Sequence, residues 1–165
     1  METESWVRDP LLSQAVGRLV ETFRFVEASR MAGLPFLNPA LCVEASGFRL
    51  WEGLPDMGVG ILISPWFING VVLPLGHDPW GELPVGTKKT LDLPAGRFSF
   101  LVNREERTGT FLSCSFFSPV EEWTGMMEAR EAARVLMETL FSGEESSPER
   151  KETQWSRRQF LRGGR

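Results

Sequence analysis

Cys114 and His77 are the residues whose types could form a catalytic pair, because a thiol beside an imidazole can act as a nucleophile. The chain has one histidine and two cysteines, Cys42 and Cys114, in 165 residues. Cys114 lies in an apolar run, where a small free cysteine is typically buried and structural, and Cys42 is interpreted in the same way. We therefore expect no catalytic residues, and a thiol-dependent enzyme using Cys114 stays as the alternative.

The composition favours binding over chemistry. A zinc site of four Cys and His ligands needs more such residues than the three present. The chain is equally short of the ligand side chains that haem and iron–sulfur sites need, so no metal and no cofactor are expected. Twelve phenylalanines and six tryptophans provide a large apolar aromatic surface instead.

The net charge of −4 argues against general nucleic-acid binding, which needs a basic face. Residues 1–141 hold 12 basic and 18 acidic residues, a net of −6, whereas residues 142–165 hold 6 and 4, a net of +2. No apolar run reaches the length of a membrane span, and the polar N-terminus lacks the apolar region of a secretory signal. We therefore expect a cytoplasmic protein with no stable membrane insertion.

Two helices and about six strands are predicted within one domain, residues 1–143. Asp9-Pro10 is typical of a helix start, and an apolar stripe follows it at helical spacing. A second helix is predicted to begin at Ser118, with a capping box in which the Glu121 side chain reaches back to a free backbone N–H group at the helix start. Short apolar runs joined by turn residues favour an antiparallel meander; they span residues 40–48, 57–64, 67–73, 89–93, 97–102 and 109–117.

The predicted fold is an α+β domain in which the N-terminal and C-terminal helices pack on one side of an antiparallel sheet of five to six strands. The nearly all-apolar run at 57–64 suits a strand that is covered on both faces. Residues 74–88 form a Pro/Gly loop of a length that is usually functional or mobile. Residues 144–165 are predicted to be a disordered, flexible linker and tail, because apolar residues vanish after Gly143.

The tail resembles the S-R-R-x-F-L-K core of a twin-arginine export signal. Such signals lie at the N-terminus and continue into an apolar region, so we expect the tail not to export this chain. The alternative is a basic tail whose sequence is accidental. We favour the interpretation that the tail imitates a peptide that the rest of the chain binds. The residues that form this imitation are Ser156, Arg157, Arg158, Phe160, Leu161 and Arg162.

Several segments spread over nearly the whole chain form a recognisable pattern. They are Asn38-Pro39, Gly47-Phe48, Gly58 to Ile63, Ser64-Pro65-Trp66-Phe67-Ile68-Asn69, Leu93-Pro94-Ala95-Gly96, Cys114-Ser115-x-Phe117-Ser118-Pro119 and the alanine-rich stretch at 129–140. Together they resemble the HybE/HupJ family of [NiFe]-hydrogenase assembly chaperones. The family's usual T-P-W-F-M-N, often followed by Leu, is altered here at Ser64, Ile68 and Gly70, and Gly70 removes one apolar side chain.

The resemblance implies a cytoplasmic chaperone for a hydrogenase small-subunit precursor. Such a chaperone binds the twin-arginine signal of the precursor and delays its export until the cofactors are in place. The large subunit is a second implied partner. A scaffold that binds only the mature hydrogenase subunits is the alternative.

A twin-arginine peptide offers two guanidinium groups and an apolar Phe-Leu pair, so its receptor needs carboxylates beside an aromatic groove. The residues predicted to form this site are Glu44, Pro65, Trp66, Phe67, Asn69, Phe117, Glu122 and Met126. The alternative assigns the aromatic residues to the core and the acids to a solvated surface. If the peptide site exists, we expect the tail to act as its pseudo-substrate. The 12 residues of 144–155 give the tail a reach of about 20 Å, which is enough to bind the rest of the same chain.

Overall fold

The computed structural model describes residues 8–143, so the tail at 144–165 lies outside the described residues. The elements in chain order are α1 (Pro10–Ser29), β1 (Glu44–Trp51), β2 (Leu54–Ile63), β3 (Ile68–Pro74), β4 (Lys88–Leu93), β5 (Gly96–Glu105), β6 (Gly109–Phe117) and α2 (Met126–Leu140). The predicted α+β class, the six antiparallel strands and the two helices are confirmed.

Helix α1 begins where the sequence predicts because Asp9 caps it. The Oδ1 atom of Asp9 accepts a hydrogen bond from the backbone N–H of Leu12 at 3.0 Å. Pro10, which has no N–H to satisfy, takes the first helical position. The buried side of α1 follows the predicted spacing and includes Leu12, Val16, Leu19 and Val26.

All strand pairs are antiparallel, but the sheet is not a simple meander. The strand order is β1-β2-β3-β6-β5-β4. Two three-stranded meanders are joined where β3 pairs with β6, with Ile68 opposite Phe117. The loop at 75–87 therefore crosses from the middle of the sheet to its far edge, where β4 begins.

The two helices lie on opposite faces of the sheet, so the predicted packing on one side is wrong. On β2, Ile61 and Ile63 belong to the buried cluster beneath α2, whereas Leu62 belongs to the cluster beneath α1. We call these surfaces the α2 face and the α1 face. Side chains alternate between the two faces of a strand, so a strand covered by both helices is apolar throughout. The apolar run at 57–64 is the sequence signal of this arrangement.

Helix α2 begins at Met126, later than the predicted start at Ser118. The side chain of Asn38 binds the carbonyl groups that an earlier helix would use. Its Nδ2 donates to the backbone oxygens of Val120 and Trp123 at 2.9 and 2.7 Å. The predicted capping box is therefore wrong, because a tertiary contact overrides the local preference.

The loop at 75–87 is bound to the sheet by Arg104. Its Nη2 donates to the backbone oxygens of Trp80, Gly81 and Leu83 at 3.3, 2.9 and 2.8 Å. The Trp80 side chain is buried. The loop thus packs as part of the fold, although its length is typical of functional or mobile segments.

Candidate functional sites at one end of the sheet

Three connecting segments meet at one end of the sheet, and the buried Asn38 joins them. Its backbone N–H donates to the Pro65 oxygen in the β2–β3 turn at 2.8 Å. Its side chain binds the β6–α2 loop through the two carbonyls described above. Strand β1 begins here, β2 ends, β3 begins and β6 ends, so the predicted site residues gather at this end.

The β2–β3 turn holds Trp66 and Phe67 in place through Ser64. The Ser64 Oγ accepts hydrogen bonds from the backbone N–H groups of Trp66 and Phe67 at 3.2 and 3.0 Å. The Ser64 N–H donates to the Phe67 oxygen at 2.9 Å. Because Ser64 is fully buried, this network fixes the direction in which the two rings leave the backbone.

Trp66 and Phe67 form a cluster with Phe23 of α1 on the α1 face. The ring centroids are 5.3 Å apart for Trp66–Phe67, 5.7 Å for Phe23–Phe67 and 6.4 Å for Phe23–Trp66. All three side chains are half-buried. Each ring is therefore partly covered, which lies between the predicted alternatives of an exposed groove and a buried core.

Asn69 lies next to these rings with a buried, unpaired carbonyl oxygen. It follows Ile68, whose side chain lies in the cluster beneath α2, so alternation turns Asn69 to the α1 face. The residue is 8% exposed, and its Oδ1 has no hydrogen-bond partner among the described residues. Such a group costs about 1–3 kcal/mol. We call Phe23, Trp66, Phe67 and Asn69 the aromatic patch.

A groove of about 990 Å³ follows β1 between the start of α1 and helix α2. Strand β1 is an edge strand that pairs with β2, so its outer edge carries backbone N–H and C=O groups without a neighbouring strand. We call it the edge groove. Its lining combines apolar side chains, namely Leu12, Phe48, Leu50, Met127, Met137 and Phe141, with carboxylates, namely Asp9, Glu44, Glu131 and Glu138.

Gly47 allows α2 to approach β1 in the edge groove. Its φ of +69° lies in the left-handed region that favours glycine. A Cβ atom at this position would lie 2.8 Å from Cγ of Met137. The register with β2 shifts here, between Ser46 and Arg49, and such a bulge bends the strand locally.

Three of the four carboxylates of the edge groove, those of Glu44, Glu131 and Glu138, are paired with arginines of the groove. Nε and Nη2 of Arg130 donate to both oxygens of Glu44 at 2.7 and 2.8 Å, and Arg134 bridges Glu131 and Glu138. The hydrogen bond from Arg134 lowers the pKa of Glu131, which keeps that carboxylate ionised. Each of these side chains is at least 32% exposed, so the pairs contribute little stability and can exchange with arginines of a ligand.

The predicted site residues reach the same end of the sheet but divide between its faces. Trp66, Phe67 and Asn69 belong to the aromatic patch on the α1 face. Glu44 lines the edge groove. Met126 is half-buried at the start of α2 and packs against the cluster beneath it.

Like Met126, the remaining three predicted residues lie outside both surfaces. Pro65 and Phe117 are buried, and Phe117 packs its ring against Trp123 with the centroids 5.1 Å apart. Glu122 is exposed in the β6–α2 loop. That all eight residues form one peptide site stays a prediction, as does the imitation assigned to the tail, which lies outside the described residues.

Sequence reasoning missed residues that complete both surfaces. Phe23 is interpreted from sequence as part of the buried stripe of α1, because nothing local reveals its contact with a distant turn. The charged side of α2 has a visible signal. Acidic and basic residues recur three and four positions apart; they are Arg130, Glu131, Arg134 and Glu138.

The described thiols do not support cysteine catalysis. Burial raises the pKa of Cys114 to about 11, so this side chain stays protonated at neutral pH. Cys114 packs against the cluster beneath α2, as expected for a structural thiol. The prediction that Cys42 is buried is wrong, because Cys42 precedes β1 and is exposed. His77 is exposed in the loop at 75–87, with Nδ1 lying 3.0 Å from the backbone oxygen of Leu75.

Among residues 8–143, no group of three or more His, Cys, Asp and Glu side chains is arranged to hold a metal ion. No helix in that range has both the length and the apolar character needed to cross a bilayer.

Residues 14–163 match the family described as "[NiFe]-hydrogenase assembly, chaperone, HybE". The chain belongs to this family. HoxT of Azotobacter vinelandii, a hydrogenase expression/formation protein, is 37% identical over 131 residues, which cover 79% of this chain and 82% of HoxT. The solution structure of HybE from Escherichia coli has a TM-score of 0.62 and 27% identity, covering 78% of this chain and 77% of that one. The resemblance inferred from the sequence is confirmed.

A further relative is longer than this chain. The "probable rubredoxin HupJ" of Rhodobacter capsulatus is 39% identical over 129 residues, which cover 78% of this chain and 45% of HupJ. The shared part is therefore less than half of HupJ.

The three departures from the family pattern fall on structural positions. Ser64 supplies the hydroxyl that closes the β2–β3 turn, which a threonine would supply as well. Ile68 is fully buried. A Cβ at Gly70 would lie 2.7 Å from Cε2 of Phe116, so the Phe116 ring fills the space of the missing side chain. The change at Gly70 therefore affects the core and leaves the aromatic patch intact.

Proposed function

We propose that this chain binds the small-subunit precursor of a [NiFe] hydrogenase through the twin-arginine signal of that precursor. It holds the precursor in the cytoplasm until the cofactors are in place, and it contacts the large subunit as a second partner. Membership of the assembly-chaperone family supports the general role. The observation that carries the finer proposal is the edge groove, where carboxylates and apolar side chains lie along an open strand edge.

The side chains of the edge groove complement a twin-arginine peptide. The bidentate pair of Arg130 and Glu44 has the geometry that an arginine of the peptide would adopt. Met127 is 85% exposed and Leu50 is 47% exposed, and both line the groove. A flexible methionine adapts to different apolar ligands, so these two residues suit the Phe-Leu pair of the signal.

The open edge of β1 suits an extended segment. A peptide that adds a strand to a sheet gains affinity from main-chain hydrogen bonds, which form with any sequence. Its alternate side chains then supply the specificity. In the edge groove, those side chains would meet the carboxylates on α2 and the apolar residues beside them.

The chain's own tail is proposed as a competitor for the edge groove. Phe141, directly after α2, lines this groove, so the chain continues from beside it. The tail carries Arg157, Arg158, Phe160 and Leu161, and residues 142–165 have a net charge of +2 against −6 for residues 1–141. A tethered segment has an effective concentration on the order of millimolar, which is enough to exclude weak ligands.

The proposal is tested with a hydrogenase small-subunit precursor, prepared with and without its twin-arginine signal. We expect a pull-down by the full chain to retain only the form with the signal. Replacing the two signal arginines by lysine should weaken binding, because lysine keeps the charge but loses the bidentate contact. Retention of both forms would favour the alternative scaffold for mature subunits.

Variants of the full chain locate the binding and test the tail. Glu131→Gln with Glu138→Gln should weaken signal-peptide binding by up to about fivefold per carboxylate, whereas the exposed controls Glu82→Gln with Glu106→Gln should not. Arg157→Gln with Arg158→Gln should raise peptide affinity. The matched control Arg150→Gln with Lys151→Gln removes the same charge outside the motif, and an equal rise there would contradict competition by the tail.

A further inference from the structure

We propose that the aromatic patch is a second binding site and that it takes an arginine side chain of a partner protein. The patch lies on the α1 face, built by the β2–β3 turn, β3 and α1, whereas the carboxylates of the proposed signal site are held by β1 and α2. The inference does not rest on the proposed signal binding, because the patch and the edge groove share no residue.

The rings of the patch offer surface to a ligand. Phe67 meets Trp66 and Phe23 edge to face, at interplanar angles of 65° and 69°, so these rings do not cover one another by stacking. All three are half-buried. Tryptophan is the aromatic side chain that attracts a cation most strongly over its face.

The chain covers other aromatic rings with its own arginines. Cζ of Arg107 lies 5.1 Å from the ring centroid of Phe25, and Cζ of Arg49 lies 4.5 Å from that of Phe141. Among the described residues, no such cation lies over the rings of the aromatic patch. The patch is thus an arginine-binding surface of the same kind whose arginine comes from elsewhere.

The unpaired oxygen of Asn69 supplies the hydrogen bond that selects the ligand. Oδ1 needs a donor, and a guanidinium carries five N–H groups in one plane. A guanidinium can therefore lie flat on a ring and donate sideways to Oδ1. An ammonium group is not planar and fits this arrangement less well. Opposite Asn69 in β6 stands Ser115, which is exposed.

The surrounding charge favours a cationic partner. Residues 1–141 carry a net charge of −6, which attracts positive ligands at a distance. Glu27 lies one helical turn beyond Phe23, on the same side of α1, and is half-buried. Its carboxylate adds negative charge to that side of α1.

In the test, the full ¹⁵N-labelled chain is titrated with N-acetyl-arginine amide, and the side-chain N–H signals of Trp66 and Asn69 are monitored by NMR. Trp66→Phe assigns the indole signal. We expect both signals to shift. The affinity for N-acetyl-arginine amide should be about threefold higher than that for N-acetyl-lysine amide. The citrulline compound has the planar shape without the charge, and an equal response to it would overturn the proposal.

Two substitutions of Asn69 test the acceptor. Asn69→Asp places a full charge there and should strengthen arginine binding severalfold. Asn69→Leu should remove the preference for arginine over lysine. The control Asn103→Leu lies on the same face, where Asn103 already donates to Ser113 Oγ at 2.5 Å, and should leave the Trp66 response unchanged. Weaker binding by Asn69→Asp, or an intact preference in Asn69→Leu, would overturn the acceptor role.

Discussion

The two faces of the sheet differ in how completely a helix covers them. On the α2 face, one buried cluster extends over β2 to β6, and α2 contributes three fully buried alanines, Ala129, Ala132 and Ala133. On the α1 face, the buried cluster draws on β1 to β3 and on Phe111 of β6. The strands beyond it present polar side chains and Leu101, which is 48% exposed.

This difference between the faces bears on both stability and recognition. The α2 face buries nearly everything that it carries, so it is the main source of the folding free energy. The α1 face retains half-open rings and a buried acceptor without a partner. Groups of this kind reduce stability and are typical of functional sites, which supports the second binding site that we propose on the α1 face.

The largest expected effect comes from opening the α2 face. Leu136 of α2 is fully buried, so Leu136→Ala should lower the free energy of unfolding by about 2–5 kcal/mol. Leu101→Ala makes the same chemical change at an exposed site on the α1 face and should cost less than about 0.5 kcal/mol. Urea unfolding measures both; equal losses would contradict the contrast between the faces.

A second effect concerns thiol reactivity on the α2 face. With a pKa of about 11, about 0.1% of the Cys114 side chain is thiolate at pH 8, against about a quarter for a thiol of ordinary pKa near 8.5. Iodoacetamide should therefore modify Cys114 about a hundredfold more slowly than a thiol of that ordinary pKa, and the exposed Cys42 should react first because the reagent reaches it directly. Mass spectrometry of the native protein measures both sites.

The pH dependence of this reaction has a definite sign. Because a raised pKa keeps the thiol protonated, the modification rate of Cys114 should rise about tenfold per pH unit between pH 8 and 10. Denatured protein supplies the control, since burial is then lost. A rate for native Cys114 that is already high and flat at pH 8 would show that the α2 face is open.

The smallest expected effect is a gain in stability on the α1 face. Asn69→Leu removes an unpaired buried acceptor and should raise the free energy of unfolding by about 1 kcal/mol. Asn38 is equally well buried but fully bonded, so Asn38→Leu should destabilise the protein. Thermal unfolding compares the two variants, and a loss of stability in Asn69→Leu would assign its amide a structural role.

Much of the fold is predictable because it depends on neighbouring residues. Asp9 and Pro10 start α1 through contacts within one helical turn, and strand β6 has the predicted bounds, Gly109–Phe117. The pairing of β3 with β6 joins segments about forty residues apart, for which no local signal exists. The start of α2 likewise differs from the predicted one, because Asn38, far away in the chain, binds the loop that precedes the helix.

The candidate sites divide in the same way. Trp66, Phe67 and Asn69 are found from the sequence because they lie in one short family motif. The edge groove is not found, since it forms only when α2 is placed beside β1. The carboxylate of Glu44 is visible in the sequence, but its partner Arg130 is not, because five strands and their connecting segments separate the two residues along the chain.

The place of β6 between β3 and β5 determines when the sheet can be completed during synthesis. Strand β3 ends at Pro74 and β6 begins only at Gly109, so one edge of β3 has no partner while the intervening residues are translated. Pairing between distant segments is slow, and an open strand edge invites aggregation until it is covered. This protein is therefore vulnerable as a nascent chain until Phe117 has left the ribosome.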